Sequence, residues 1–389
     1  MAIGCAVIGG GLNCGASSLP EGRVLTWSEL DGWEQHDCRP VYTLLHQFCT
    51  SPENPDDFLK PVCRALNERT ENPDNQEARL FFENHFSAYE VKGKSERSGK
   101  GFLTGYYEPE FAGSLTRTDE FLYPLYAPPA DYLTVPAGTD LPGIPQGRTA
   151  ARFVTDGSGR EHYQPLPPRG EIEKGALENL IRPIVYFKEP GHSFIIHVQG
   201  SARVRLPDHR IMRVAFAGRN GYPYSSIGRF LIEAGEIAKE NMNLDNLLGW
   251  LRDNPGKAQD VMNHNESFIF FRIADELKDA EGPVGAAGIP LVPRISLAVD
   301  STIWNYGLPV WLEGTLPDQN KKQQKLAGLH LALDTGAAIT GAARADYYWG
   351  SGEKAGLCAG ITSQNVRFVV LLPKTLFMEN ASATGQDAP

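Results

Sequence analysis

Two aspartates toward the C-terminal end of this chain stand where a carboxylate is costly to keep. The segment reads Leu333-Asp334-Thr335-Gly336-Ala337-Ala338-Ile339-Thr340-Gly341-Ala342-Ala343-Arg344-Ala345-Asp346-Tyr347-Tyr348-Trp349-Gly350-Ser351-Gly352. An ionised group in such apolar surroundings loses its hydration unless hydrogen bonds or charges replace it. Read as a strand, alternation places Arg344, Asp346 and Tyr348 on one face and Tyr347 with Trp349 on the other. A carboxyl group set against aromatic surface has its pKa raised and can serve as a general acid. An ionised Arg344 on the same face opposes that, so the reading requires either a bulge or another partner for Arg344, such as Asp334. Asp346 as a hydrogen-bonded turn residue is the competing reading, and spacing alone leaves both open.

Other chemistries fit the residues less well. Asp334-Thr335-Gly336 has the form of an aspartic-protease motif, but that mechanism shares a proton between two facing carboxylates and needs a second such triplet. Asp300-Ser301-Thr302 lacks the glycine, and Thr155-Asp156-Gly157 has the wrong order. There is no GxSxG elbow, no phosphate-binding glycine loop and no HExxH pair. The six cysteines form no CxxC pair, so no metal site and no cofactor are expected. The net charge of -10 argues against nucleic acid as a partner.

The elements that must position these residues follow from periodicity. Helical spacing runs through Val41–Phe48, Asp57–Leu66, where Pro61 either lies in the first turn or kinks the helix, and Glu77–Val91. Strand character starts at Phe102–Tyr107, and residues 127–170, rich in turn formers, read as a long surface loop. Ser193–Gln199 reads as a buried strand. Arg203–Leu206, a Pro207-Asp208-His209 turn and Met212–Ala217 read as a hairpin with its arginines on one face, a patch suited to an anionic ligand. Helices are expected at Ile227–Lys239 and Leu244–Arg252, short strands from Phe268 to Leu372, and a polar, disordered tail at Glu379–Pro389. The shift from helices to strands, to mixed structure and back to strands points to an inserted domain.

With 389 residues, 41% hydrophobic and 22% charged, the chain has ordinary globular composition. No window approaches the roughly 18 apolar residues of a membrane span. The first twenty residues are small and uncharged, and read as the remnant of an export signal or a disordered leader. Cys49 and Cys63 are either a disulfide of an oxidising compartment or buried thiols.

Taken together, Thr104-Gly105-Tyr106-Tyr107-Glu108-Pro109, Val198-Gln199-Gly200-Ser201, Ala217-Gly218-Arg219-Asn220-Gly221-Tyr222-Pro223-Tyr224, Ser226-Ile227-Gly228-Arg229, Phe268-Ile269-Phe270-Phe271-Arg272, Gly282-Pro283-Val284-Gly285-Ala286 and Leu297-Ala298-Val299-Asp300, followed by the segment above, resemble the membrane-bound lytic murein transglycosylase A family with its C-terminal 3D segment. The resemblance covers roughly residues 100 to 373. It departs from the family pattern after Asp300, where Ser301–Gly307 replaces an Ile-Pro turn, and at Ala337, where the family has a glycine.

The resemblance implies a mainly β protein with a helical N-terminal part. Its double-psi β-barrel (residues 28–112 and 279–376) is interrupted by an inserted β-barrel-like domain (113–278), with a glycan groove between them. Residues 1–27 would be the leader and 377–389 the tail. The implied activity is that of a peptidoglycan lytic exotransglycosylase, a carbon–oxygen lyase that cleaves between N-acetylmuramic acid and N-acetylglucosamine and leaves 1,6-anhydro ends. The catalytic acid falls on Asp346. Substrate contacts are implied for Thr104, Tyr106, Tyr107, Gln199, Gly200, Ser201, Asp300, Asp334 and Tyr348. The tyrosines would stack on sugars, and Gln199, Ser201 and Asp334 would hydrogen-bond them. A monomer in the periplasm, associated with the outer membrane, is expected to act on glycan strands. The resemblance also leaves room for a lipid anchor and for cell-wall synthesis proteins as partners. A hydrolytic muramidase using Glu108 or Glu110 as second carboxylate, and a non-catalytic peptidoglycan-binding protein, remain the rival readings.

Overall fold

A computed structural model describes residues 19–52, 57–93, 100–136, 138–278 and 280–377. The proposed leader up to residue 18 and the tail from 378 lie outside the described residues. Six strands close on themselves in the order Gly101–Glu108, Ser363–Pro373, Pro309–Pro317, Gln323–Asp334, Ser296–Val299 and Arg344–Ser351, the last pairing with the first. Closure leaves none of the six with a free edge. The strands read as near-continuous apolar runs because both faces are covered: Ser296–Val299 is wholly buried and Leu329–Leu333 nearly so. One pairing, Ser296–Val299 with Gln323–Asp334, is parallel, while Ser296–Val299 pairs antiparallel with Arg344–Ser351. The mainly β class and the barrel are therefore as expected.

Two further strands, Gly22–Leu25 and Phe86–Val91, extend the sheet beside Ser363–Pro373. Three helices, Arg39–Thr50, Lys60–Asn67 and Asn75–His85, belong to the same compact unit. The first buries Val41, Tyr42, Leu44, Leu45, Phe48 and Cys49 at three-to-four spacing, and Cys49 is disulfide-bonded to Cys63. Pro61 sits in the first turn of its helix, where its missing N–H has no cost. Asp74 caps the third helix, its side chain accepting from Glu77 N while Glu77 reaches back to Asp74 N. The helical reading through Val91 was too long. The helix stops at His85, and Phe86–Val91 alternates as a strand.

A second compact unit comprises Tyr107–Pro283 and Ser351–Gly360. Its main sheet runs Ile269–Ile273, Ile211–Arg219, Ser201–Arg205, Glu110–Ser114, Pro183–Phe187, Tyr123–Tyr126. Residues 127–170 are not one long loop. Tyr132–Thr134, Ala150–Thr155 and Glu161–Pro165 form a separate three-stranded sheet, whose short strands were hidden among turn residues. The segment expected as a strand at Ser193–Gln199 is a helix, Pro190–Gln199. Pro190 opens it, Gly200 closes it at φ 80°, and its all-apolar run carries no period that separates helix from strand. The helices Pro255–Asn263 and Glu353–Ile361 are further additions to the expected set.

The arginine hairpin forms as read, but its charges are spent within the fold. Glu108, 1% exposed, accepts from Arg203 Nε at 2.9 Å, Arg213 Nη2 at 2.8 Å and Ser351 Oγ at 2.6 Å. Both arginines also donate to the carbonyl of Glu281. Arg205 is paired with Glu110, Arg210 with Asp208 and Arg229 with Glu233. Most of the arginines of this stretch are therefore paired with acids, while Arg219 donates to the Tyr222 carbonyl. Replacing Glu108 with Ala strands the buried Arg213 charge, an error that costs about 3–5 kcal/mol. Equilibrium denaturation of Glu108→Ala should show a loss of that size. A change within 1 kcal/mol would mean that the arginines find other partners.

Candidate active site

A β-bulge sets the site. Along the parallel pair, Leu297 faces Ala332 but Ala298 faces Asp334, so Leu333 is the extra residue on its strand. A bulge re-aims the side chains that follow it, and here it brings Asp334 opposite Ala298. On the other side of Ala298 the antiparallel register places Asp346. Directly opposed residues project to the same face of a sheet. The two aspartates therefore flank Ala298 on its two neighbouring strands.

Asp346 is held by a short relay. Thr104 Oγ1 donates to Asp346 Oδ1 at 2.6 Å and accepts from Arg344 Nη2 at 2.7 Å. Arg344 also donates to the carbonyl of Ala345, and its guanidinium lies 5.4 Å from the centre of the Phe102 ring. The expected Arg344–Asp334 pair does not form; the cation is directed through Thr104 instead. Burial raises the Asp346 carboxyl above its usual range, and the Thr104 hydrogen bond and the Arg344 charge only partly counter it. Arg344 therefore lowers the Asp346 carboxyl less than burial raises it.

Asp334 has a different set of partners. Its Oδ1 accepts from Ala286 N at 3.0 Å. Burial pushes its pKa up to about 6, against the pull of backbone N–H groups from Ala286 and Thr335, and the Asp346 charge adds to the rise. The buried Tyr106 hydroxyl is directed to Asp334, whose pKa it helps to hold down, and lies within electrostatic reach of Asp346. Both aspartates are half-buried, so solvent still touches them.

The other expected site residues divide clearly. Asp300 uses both oxygens within the protein: Oδ1 accepts from Thr302 N and Thr302 Oγ1, and Oδ2 accepts from Gly341 N at 2.6 Å. It fastens two loops and is 7% exposed. Tyr348 is wholly buried with its ring 5.2 Å from that of Tyr106, so no face is open for a sugar to stack on. Tyr107 is buried under the helix at Gly356, where even a methyl group would meet its ring at 2.8 Å. Tyr107 N donates to Gln199 Oε1 at 3.1 Å, Gly200 is the helix cap, and Ser201 begins the next strand. Thr104, Tyr106, Asp334, Asp346 and Tyr348 are brought together in the barrel unit, whereas Tyr107, Gln199, Gly200 and Ser201 belong to the other unit.

Sequence reading missed Ala298, Ala286 and Tyr306. Tyr306, half-buried, adds a phenol near Asp334 and is linked to Ser301 and Thr335. An alanine and a backbone amide carry no chemical signal in sequence; only the register reveals them. Among the described residues no cluster of His, Cys, Asp and Glu could hold a metal, and no helix is long and apolar enough to cross a membrane.

The MltA specific insert domain matches residues 102–272 and the 3D domain matches residues 295–372. The chain is 33% identical over 279 residues to a membrane-bound lytic murein transglycosylase A of Escherichia coli (strain K12), an alignment covering 70% of this chain and 66% of the relative. The chain thus spans just under two thirds of that relative's length. A membrane-bound lytic murein transglycosylase structure from Agrobacterium tumefaciens superposes with a TM-score of 0.79 at 30% identity, covering 92% of this chain and 99% of that one. The structure of E. coli MltA with bound chitohexaose superposes with a TM-score of 0.59 at 27% identity, covering 89% of each.

The raised carboxyl of Asp334 has a stability signature. A carboxyl whose folded pKa exceeds its unfolded value stabilises the fold below the unfolded value, near pH 4, and loses that contribution as pH rises through about 6. At about 1.4 kcal/mol per pKa unit, Asp334→Asn should gain on the order of 1–3 kcal/mol relative to wild type between pH 4 and pH 7. Thermal melts across that range read the difference. A constant offset would show that Asp334 does not titrate in this window.

Proposed function

This chain belongs to the membrane-bound lytic murein transglycosylase A family, and from that premise we propose that it cleaves the β-1,4 bond between N-acetylmuramic acid and N-acetylglucosamine in peptidoglycan. The observation that carries the reading is a buried carboxyl with a raised pKa on a barrel strand, backed by a hydroxyl donor and reachable by solvent. Asp346 gives its proton to the leaving glycosidic oxygen. It then takes the proton of the muramic C6 hydroxyl as that oxygen attacks C1 and closes the 1,6-anhydro ring. The internal hydroxyl takes the place of water, and its attack gains from proximity. Each cycle returns the proton to Asp346, so one residue serves as acid and base. Thr104 fixes the carboxyl's orientation through the relay from Arg344, while Tyr106 and Asp334 border the reacting sugar.

A glycan of this type suits the family resemblance, and chitohexaose bound to the E. coli relative supports a chain of N-acetylated sugars as the ligand. The names of the relatives support attachment to a membrane, which we place at the periplasmic face of the outer membrane, with a lipid anchor as the means. Hydrolysis is the second reading, because Asp334 stands across one alanine from Asp346 and could activate water as second carboxylates do. Glu108 and Glu110 are poor candidates for that task, since both are engaged by arginines.

Digestion of murein sacculi followed by mass spectrometry tests the proposal. Wild type should release muropeptides with anhydro ends, one water lighter than hydrolytic products, and Asp346→Asn should lose at least about 10²-fold in rate, the lower range for a general acid. Because the acid must be protonated, activity should fall as pH rises above the raised pKa of Asp346. Equal anhydro release by Asp346→Asn would remove Asp346 from its role. Binding of sacculi without any release would favour a non-catalytic glycan-binding protein.

A further inference from the structure

We propose that Arg148 and Arg219 form a carboxylate-binding site at the Gly221-Tyr222 turn, and that its ligand is the acidic peptide carried by the glycan strands. The choice of ligand rests on the cleavage reading above. The site itself lies wholly within the second unit, Tyr107–Pro283, and takes no part in the chemistry at Asp346.

Both guanidiniums are tied to one turn. Arg148 Nη1 donates to the Gly221 carbonyl and Arg219 Nη2 to the Tyr222 carbonyl, each at 3.4 Å. These bonds are longer than the roughly 2.7–3.2 Å of a good N–H···O contact, so neither cation is well satisfied by them. Arg148 Cζ stands 3.3 Å from the centre of the Tyr222 ring. Stacking of this kind fixes a guanidinium while leaving its N–H edge for an anion. Gly221 holds the turn at φ 83°, and a methyl group there would meet Thr149 N at 3.3 Å, so the turn lies directly against the start of Ala150–Thr155. Arg219 N donates to Tyr132 Oη at 3.1 Å, which leaves that phenol its own proton to give.

Uncompensated charge sets these two arginines apart from their neighbours. Arg152, on the strand that follows Thr149, donates to both oxygens of Asp131, through Nε at 2.9 Å and Nη2 at 2.6 Å. Arg213, on the strand that ends at Arg219, is paired with Glu108. Among the described residues, neither Arg148 nor Arg219 has a carboxylate partner, and their side chains donate to the turn carbonyls instead. The Arg219 Nε–H and the Thr149 hydroxyl are buried and meet no acceptor or donor. A buried charged donor left unmet is costly, and burial pulls the Arg219 pKa below its usual value, with the Tyr132 phenol opposing. A carboxylate supplies the missing group, since its two planar oxygens match the N–H pairs of a guanidinium. Arg148, Thr149, Arg219 and Tyr222 are all half-buried, so each keeps a part that an incoming group can reach. Murein peptides carry free carboxylates, whereas an unsubstituted oligosaccharide of N-acetylglucosamine carries none.

Isothermal titration of the full chain with the peptide freed from murein by an amidase tests the site without turnover. Wild type should bind it, and amidating the peptide's carboxyls should weaken binding by at least about tenfold, as expected for loss of hydrogen bonds between charged groups. Arg148→Gln and Arg219→Gln should each weaken it by about 10- to 100-fold, and Arg219→Lys, which keeps the charge but loses the fork, should restore only part. Chitohexaose, which is uncharged, should bind all of these proteins alike. The melting temperature of the ligand-free variants should stay level or rise, because the charge removed had no acid to pair with; Arg148→Gln keeps the test open should Arg219→Gln not fold. A lower melting temperature with unchanged peptide affinity would make the arginines structural and overturn the site. Equal binding of the amidated peptide, or inorganic phosphate bound as tightly as the acidic peptide, would overturn the assignment of the ligand. Absence of anhydro products from wild type on sacculi would overturn the cleavage reading instead, while the peptide titration still decides the site.

Discussion

The cost of taking a carboxylate out of water is the constraint on which this site depends. A barrel closed on all sides has an interior suited to Leu297, Val299, Leu331 and Leu333, all fully buried, and an aspartate at its rim is disfavoured as an ion. The fold does not fully repay that cost. Asp346 receives one hydroxyl, the Tyr347 amide and an indirect cation, and Asp334 receives backbone amides and the Tyr106 hydroxyl. The shortfall is expressed as a raised pKa, the direction that general acid chemistry requires of a carboxyl.

The contrast with the other acids of the chain supports this view. Glu108 is more deeply buried than either aspartate, yet two arginines and a serine satisfy it, and it serves the stability of its unit. Asp300 lies in the same barrel unit as the pair, but three donors from Thr302 and Gly341 occupy its oxygens. Burial alone therefore does not make a working acid. What separates Asp334 and Asp346 is incomplete compensation combined with a solvent-accessible edge.

Much of this was legible in the sequence where a residue's own chemistry announces it. The cost of Asp346 in an apolar segment, the alternation of Arg344–Trp349 and the conflict posed by Arg344 all follow from residue types and a period of two. The barrel class followed from a family resemblance carried by many short motifs. What stayed hidden depends on pairing. The bulge at Leu333 is invisible along the chain, since it exists only relative to Leu297 and Ala298. Tyr107 and Tyr348 are buried, because an aromatic suited to sugar stacking is equally suited to a core, and the sequence carries no sign of which it will be. The apolar run Phe194–Ile196 was read as a strand for want of a period, although Pro190 and Gly200 bracket it as a helix.

The central claim is that the sugar's own hydroxyl, not water, attacks the carbon that Asp346 helps to release. Digestion of sacculi in water enriched in oxygen-18 measures this directly. The account predicts anhydro ends that carry no oxygen-18, even at complete digestion. One oxygen-18 atom per cleaved bond, retained at C1 of the new muramic end, would contradict it and make the protein a hydrolase with Asp334 as its second carboxylate.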